Sequence, residues 1–241
     1  TAANTLEAFV EFECQFPRSP FRNATQDSIY QKSTRGADNK GYHAFIKAFP
    51  TNRNVPQAWA AIYARYRSEY TAEAISRFLT EYPDYPSKND ARRDQVLFKT
   101  ALYPMREAGK WGYLDVSRAV KIAAEYEEAG PFLEGLALVR REGKYGFVEK
   151  TGKLAIPALY TQARPFENGL AAVATGPRAQ GLIGKDGRVA LPLRYDSLGA
   201  WSEGLIAIRQ GGLLGFADAK GAVAIAPRYE EVGPFRGGVA R

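Results

Sequence analysis

One cysteine, one histidine and one methionine are all that 241 residues supply of the side chains most used for disulfides, metal binding and redox chemistry. A lone Cys14 cannot close an intramolecular disulfide, so cysteine usage does not distinguish a reducing from an oxidising compartment. No apolar run reaches the length of about 18 residues that a membrane-spanning helix needs. No basic-then-apolar leader opens the chain either, which suits cytoplasmic residence or an exported chain already trimmed. Charge of one sign is also scarce. The net charge of +7 divides into 15 basic and 12 acidic residues up to position 109, and 18 and 14 after it. An excess spread this thinly lays no cationic track for a phosphate backbone, so no nucleic-acid partner is expected. Mild positive charge still favours anionic partners such as cell-wall polymers or lipid headgroups.

Aromatic residues are plentiful, with 14 Tyr and 13 Phe in a chain that is 45% hydrophobic, enough for a core without metals or disulfides. They recur at fixed intervals. Phe12, Phe45 and Phe78 lie 33 residues apart, with Phe9, Tyr42 and Ile75 three residues before them and Phe16-Pro17, Phe49-Pro50 and Tyr82-Pro83 after them. Each unit is an i, i+3, i+7 apolar stripe closed by proline, the pattern of an amphipathic helix and its terminator. A second helical run follows each stop, over about 20–31, 56–70 and 88–101, with Pro56 suited to a first helical turn. A helix pair of this kind cannot bury both faces alone and must stack on its neighbours, giving a short solenoid.

From Lys110 the grammar changes. Gly112, Gly146, Gly181 and Gly215 are spaced by 34, 35 and 34 residues, and Tyr126, Tyr160, Tyr195 and Tyr229 keep the same step. So do Phe132, Phe166, Trp201 and Phe235, and Gly135, Gly169, Gly204 and Gly238. Short strands are punctuated by glycine: Asp186-Gly187, Thr151-Gly152 and Lys220-Gly221 read as hairpin turns. Proline at 157, 192 and 227 reads as the end of the second strand, and 135–139, 169–173 and 204–208 as a third strand. The periodic glycines are therefore expected to serve turn geometry rather than phosphate binding, since no phosphate-loop pattern accompanies them. The fourth unit stops at Arg241 within its expected third strand, so the chain is expected to continue beyond it.

Lys110-Trp111-Gly112-Tyr113-Leu114-Asp115 and Lys144-Tyr145-Gly146-Phe147-Val148-Glu149, with Pro157 to Tyr160 and Phe166 to Val173 downstream, resemble the bacterial WG β-repeat over about 130 residues. The match has departures: Tyr145, Gln180 and Leu214 stand in for the tryptophan, Ala123 replaces the strand-ending proline, and repeat one lacks the turn glycine. The helical units resemble tetratricopeptide-like repeats, above all those of outer-membrane assembly lipoproteins with their Phe-x-x-aromatic and aromatic-Pro pattern. The expected architecture is α+β in two repeat domains. Residues 1–105 form an α-solenoid of about three helix pairs, and residues 106–241 an all-β array of about four three-stranded antiparallel repeats, the last incomplete.

Catalysis has little to work with. His43 lacks a Cys or acidic partner at metal-ligand spacing, Cys14 reads as a small helix residue between Phe12 and Phe16, and no Ser-His-Asp set presents itself. No catalytic residue, metal site or cofactor is expected. Asp115, Glu149 and Asp218 share one repeat position and read as turn acceptors, with Gly184 in their place in repeat three. The aromatic series read as packing between repeats. Trp59, Arg65 and Tyr66 lie outside the repeated helix positions and are the candidates for a partner-facing surface. The expected function is a non-enzymatic scaffold or adaptor for protein partners within a larger complex. The alternative is glycan or peptidoglycan binding through the β-repeats. The resemblances imply a periplasmic or outer-membrane setting, as an accessory subunit of an outer-membrane complex.

Overall fold

The computed structural model describes residues 4–240. Among these, the chain forms six helices and then fifteen strands, as the α+β reading expects. The helices are α1 (Leu6–Gln15), α2 (Arg22–Thr34), α3 (Asn39–Ala48), α4 (Val55–Arg67), α5 (Ala72–Glu81) and α6 (Lys88–Lys99). Local chemistry sets their ends. Thr5 accepts from the Ala8 N–H at the start of α1, and Asp38 accepts from the Gly41 N–H at the start of α3. Helices α1, α3 and α5 each stop one residue before an aromatic-Pro pair, whose aromatic N–H closes the last turn: Phe16 on Phe12, Phe49 on Phe45 and Tyr82 on Phe78, each at 2.9 Å.

Two compact units result, one of residues 1–67 and 76–88, the other of 68–75 and 89–241. In the first, α1 pairs with α2 and α3 with α4, and Ile29, Phe45, Ile62 and Phe78 are buried. In the second, α6 belongs with the strands. Lys150 Nζ donates to the carbonyl oxygens of Phe98 and Thr100, both at 2.6 Å, at the end of α6. A cation at a helix C-terminus satisfies exposed carbonyls and opposes the helix dipole. The change from helix to strand falls between Lys99 and Leu102, so the division drawn at 105/106 lies inside the first strand.

The first sheet is β1 (Leu102–Glu107), β2 (Lys110–Asp115) and β3 (Val120–Tyr126). The second holds β4 (Glu128–Leu133), β5 (Leu136–Arg141), β6 (Lys144–Glu149) and β7 (Leu154–Tyr160). The third holds β8 (Gln162–Ala163), β9 (Leu170–Ala174), β10 (Gln180–Gly184) and β11 (Val189–Tyr195). The fourth holds β12 (Ser197–Ser202), β13 (Leu205–Gln210), β14 (Leu213–Asp218) and β15 (Val223–Tyr229). Each is an antiparallel meander. A strand unseen in the sequence, β4, β8 or β12, opens each of the last three sheets, two residues after the repeated Tyr. Each of the first three sequence repeats therefore gives its first two strands to one sheet and the remainder to the next.

The sheets stack face on face. Tyr113 and Tyr126 of the first sheet share a core with Ala137, Val139 and Val148 of the second. Phe147 and Tyr160 of the second meet Val173 and Ile183 of the third, and Leu182 and Tyr195 of the third meet Ile206 and Ala217 of the fourth. Along β6, Phe147 points forward and Val148 backward, and both are fully buried. Alternation that elsewhere separates core from solvent here separates two cores.

The repeated prolines do not end their strands. In β7, Tyr145 pairs with Tyr160 and Phe147 with Ile156, so the chain bulges around Pro157 and continues to Tyr160. A bulge tolerates proline because no ladder hydrogen bond is lost there. The bulge carries the backbone onto Gly146, where a Cβ would lie 2.7 Å from the Ile156 oxygen and 2.8 Å from the Ala158 backbone. Gly112, Gly181 and Gly215 face the same approach, at 2.5, 2.5 and 2.3 Å. This glycine series therefore serves contact between strands, which corrects the expectation of turn geometry for it. The hairpin glycines do serve turns. Gly187 has φ +76° and closes a three-residue loop with Gly184 and Arg188 paired across it, one residue longer than the two-residue turn expected. In repeat one, Arg118 takes the same left-handed conformation at φ +64°.

Gly146→Ala is expected to cost about 1–3 kcal/mol, because the crowding atoms are backbone and cannot move aside cheaply. Gly176→Ala, where a Cβ meets nothing within 4 Å, should be near neutral. Urea unfolding midpoints compare the two; equal losses would remove the close-approach account.

Candidate functional site

The structure buries two of the three residues expected to face a partner. Trp59 is 5% exposed and Tyr66 7%, both within a cluster of rings that includes Phe78, Tyr82 and Tyr85. The sequence pattern assigned them to the outer face, but they lie where α4 meets its neighbours. Arg65 is exposed and ordered: its guanidinium donates to Asn39 Oδ1 at 2.8 Å and to the Ala37 carbonyl at 2.9 Å, and lies 5.2 Å from the centre of the Tyr42 ring.

His43 packs against the rings of Trp59 and Tyr82, and its Nε2 lies 3.1 Å from Asp84 Oδ2, an acidic partner that sequence spacing concealed. Lys47 Nζ reaches the same oxygen at 2.6 Å. Burial opposes ionisation of Asp84, but hydrogen bonds from Lys47 and His43 outweigh it and hold the carboxyl at about 2. Cys14 is exposed on α1. Among the described residues, no group of three or more His, Cys, Asp or Glu is placed to hold a metal ion.

In the β-repeats the shared acidic position is a turn acceptor. Asp115 Oδ1 accepts from the Ser117 and Ala119 N–H groups, and Asp218 Oδ1 from those of Lys220 and Ala222. Hydrogen bonds from Ser117 and Lys121 hold the Asp115 carboxyl at about 2. Glu149 takes the Thr151 hydroxyl, and in repeat three, where Gly184 stands, Asp186 accepts from Arg188 N–H instead.

The periodic rings pack on one another. Phe132 meets Tyr113 at 4.9 Å, Phe166 meets Phe147 at 4.7 Å, and Phe235 meets Phe216 at 4.8 Å, each between ring centres. Trp201 lies against the core that contains Leu182. Burial pushes the Tyr126 hydroxyl up to about 12. Phe166 is 3% exposed, and the other three members of its series are half-buried. The model of the WG containing repeat matches residues 111–145, 145–176, 181–213 and 215–241, over half of the chain. The chain belongs to the WG-repeat family. Its defining glycine is the one pressed against the bulged strand, and its tryptophan position is half-buried in all four repeats, as Trp111, Tyr145, Gln180 and Leu214.

No match is found among curated proteins. Among solved structures the chain is similar to one described as the eukaryotic initiation factor, with 12% identity and a TM-score of 0.41 over 57% of this chain and 43% of that one. The chain thus spans less than half of that protein's length, and so loose a likeness carries no argument.

One surface has no counterpart in the sequence reading. A cavity of ≈ 560 Å³ opens where the last turns of α2 meet α3, lined by Tyr30, Lys32, Arg35 and Tyr42 with Asn4, Ser28, Gln31 and Thr34. Tyr30 and Tyr42 are 6.4 Å apart between ring centres. Only the 33-residue period of Tyr42 hinted at it; the wall from α2 belongs to the less regular helix of the pair.

The Asp84 carboxyl gives the first unit a defined acid response. Its folded value of about 2 lies below the ordinary 3.8, so its stabilising contribution is complete above 3.8 and is lost as pH falls through 2. Asp84→Asn should flatten the decline in stability over that window. Urea midpoints measured across it provide the check, and an unchanged slope would refute the assignment.

Proposed function

We propose that the chain is a non-enzymatic scaffold or adaptor that holds protein partners in the bacterial cell envelope, at the periplasmic side of an outer-membrane complex. The observation that supports this most directly is where the repeated rings lie. Most of them are wholly or half buried in packing one sheet against the next, so the repeats put the larger part of their aromatic content into a rigid array rather than a row of free ring faces. The glycan reading needed those faces for sugar stacking and loses its chief support. The envelope setting rests on the likeness of the aromatic-Pro helical units to tetratricopeptide-like repeats of outer-membrane assembly lipoproteins. Among the described residues, no helix is long and apolar enough to cross a membrane.

Binding by repeat surfaces is distributed, so it should depend on the stack and not on any one reactive group. Tagged full-length chain, expressed in its native cells, is expected to recover the same protein partner in the wild type and in the Cys14→Ser, His43→Gln double variant. Phe45→Ala, which empties a site that is 2% exposed, should cost about 3–5 kcal/mol and release the partner. A double variant that stays folded and partner-bound yet loses biological activity would sink the scaffold reading in favour of an enzyme.

A further inference from the structure

The cavity beside α2 carries charge of one sign among its described lining residues. It is lined by two cations, Lys32 and Arg35, and by no carboxylate. Among the described residues neither cation has an ion-pair partner, although Lys32 Nζ lies 5.8 Å from the centre of the Phe9 ring. The cations stand at the end of α2, whose dipole contributes about half a negative charge. Two full charges exceed that several-fold, so the cavity keeps a positive potential.

Two tyrosine rings share the lining, and one of them is held in place. The Arg65 guanidinium lies over the Tyr42 ring, 5.2 Å from its centre, and is itself tied to Asn39, the first residue of α3, and to Ala37 before it. Tyr30 and Tyr42 offer two ring faces and two hydroxyls beside the cations. A volume of ≈ 560 Å³ falls within the range of about 300–1,000 Å³ typical of ligand clefts.

We propose that this cavity docks an acidic peptide segment of a protein partner, with carboxylates on Lys32 and Arg35 and the peptide chain against Tyr30 and Tyr42. This deepens the scaffold reading and rests on it. Charge complementarity selects the ligand: carboxylates pair with both cations through charge-assisted hydrogen bonds. A neutral glycan's hydroxyls can accept hydrogen bonds from the cations but carry no charge to match them, so they pair more weakly than carboxylates. A nucleic-acid strand needs cations along a longer track than two residues provide. Arg65 is a positioning residue, acting through Tyr42.

The test is fluorescence anisotropy of the full chain with a fluorescein-labelled hexapeptide of alternating Glu and Leu, set against the same peptide with Gln for Glu. The acidic peptide should bind saturably, the Gln peptide should not, and added salt should weaken the complex. Lys32→Gln with Arg35→Gln should weaken binding by at least about tenfold, equivalent to 1.4 kcal/mol. Both side chains are exposed, so the variant should keep the wild-type urea midpoint, and Lys88→Gln should bind as the wild type does. Equal binding of the two peptides, indifference to the double substitution, or displacement by equimolar inorganic phosphate would overturn the proposal. Absence of peptide binding while the tagged chain still recovers its partner would discard this site and leave the scaffold reading standing; loss of both would discard both.

Discussion

In every repeat a bulged strand passes so close to the glycine of its neighbour that no side chain fits between them, with an imagined Cβ falling 2.3–2.7 Å from a carbonyl oxygen. The stack of sheets depends on that approach. The bulge lets the second strand run on past its proline and deliver the repeated Tyr to the next interface, where Tyr126, Tyr160 and Tyr195 are buried. Repeat one bulges in the same register with Ala123 in place of proline, so the glycine is the stricter requirement and the proline an accommodation to the bulge.

The handover of strands between sheets follows from the same geometry. A repeat that leaves half its strands in one sheet and half in the next cannot complete either alone, so neighbouring repeats are bound covalently as well as by packing. Hydrogen bonds cross the interfaces too. Glu134, in a left-handed conformation at φ +50°, accepts from the Gly169 N–H one repeat on, and Glu203, also at +50°, accepts from those of Gly237 and Gly238. The backbone strain of placing glutamate at such a turn is offset by a charge-assisted bond to the following repeat. Lys150 extends the array to α6 in the same way, by satisfying carbonyls that a helix end would otherwise leave open.

The two kinds of repeat differ in where their rings lie. The β-repeats bury Tyr113, Tyr126, Phe147, Tyr160, Phe166 and Tyr195 and half-bury Trp111, Phe132, Tyr145, Trp201 and Phe235, so most of their ring area goes to packing between sheets. In the helical unit some rings remain at a surface, where Tyr30 and Tyr42 sit beside cations that, among the described residues, no carboxylate pairs with.

Local sequence determined a good deal. The aromatic-Pro pairs set three helix ends because proline acts on its own turn, and the glycine and tyrosine periods marked four β-repeats because each unit meets the same neighbours. What lay beyond the sequence were relations between distant segments. The strands β4, β8 and β12 begin two residues after a Tyr, in stretches such as Glu128–Leu133 that contain Gly130 and Pro131, and exist because β5, β9 and β13 pair with them. The glycine of each WG unit looked like a turn residue until its partner strand was in place. Trp59 and Tyr66 looked peripheral because a helix alone does not say which face its neighbours cover, and His43 looked unpartnered because Asp84 lies 41 residues away. Periodicity is written along the chain; burial, register and charge pairing arise only when the chain returns to itself.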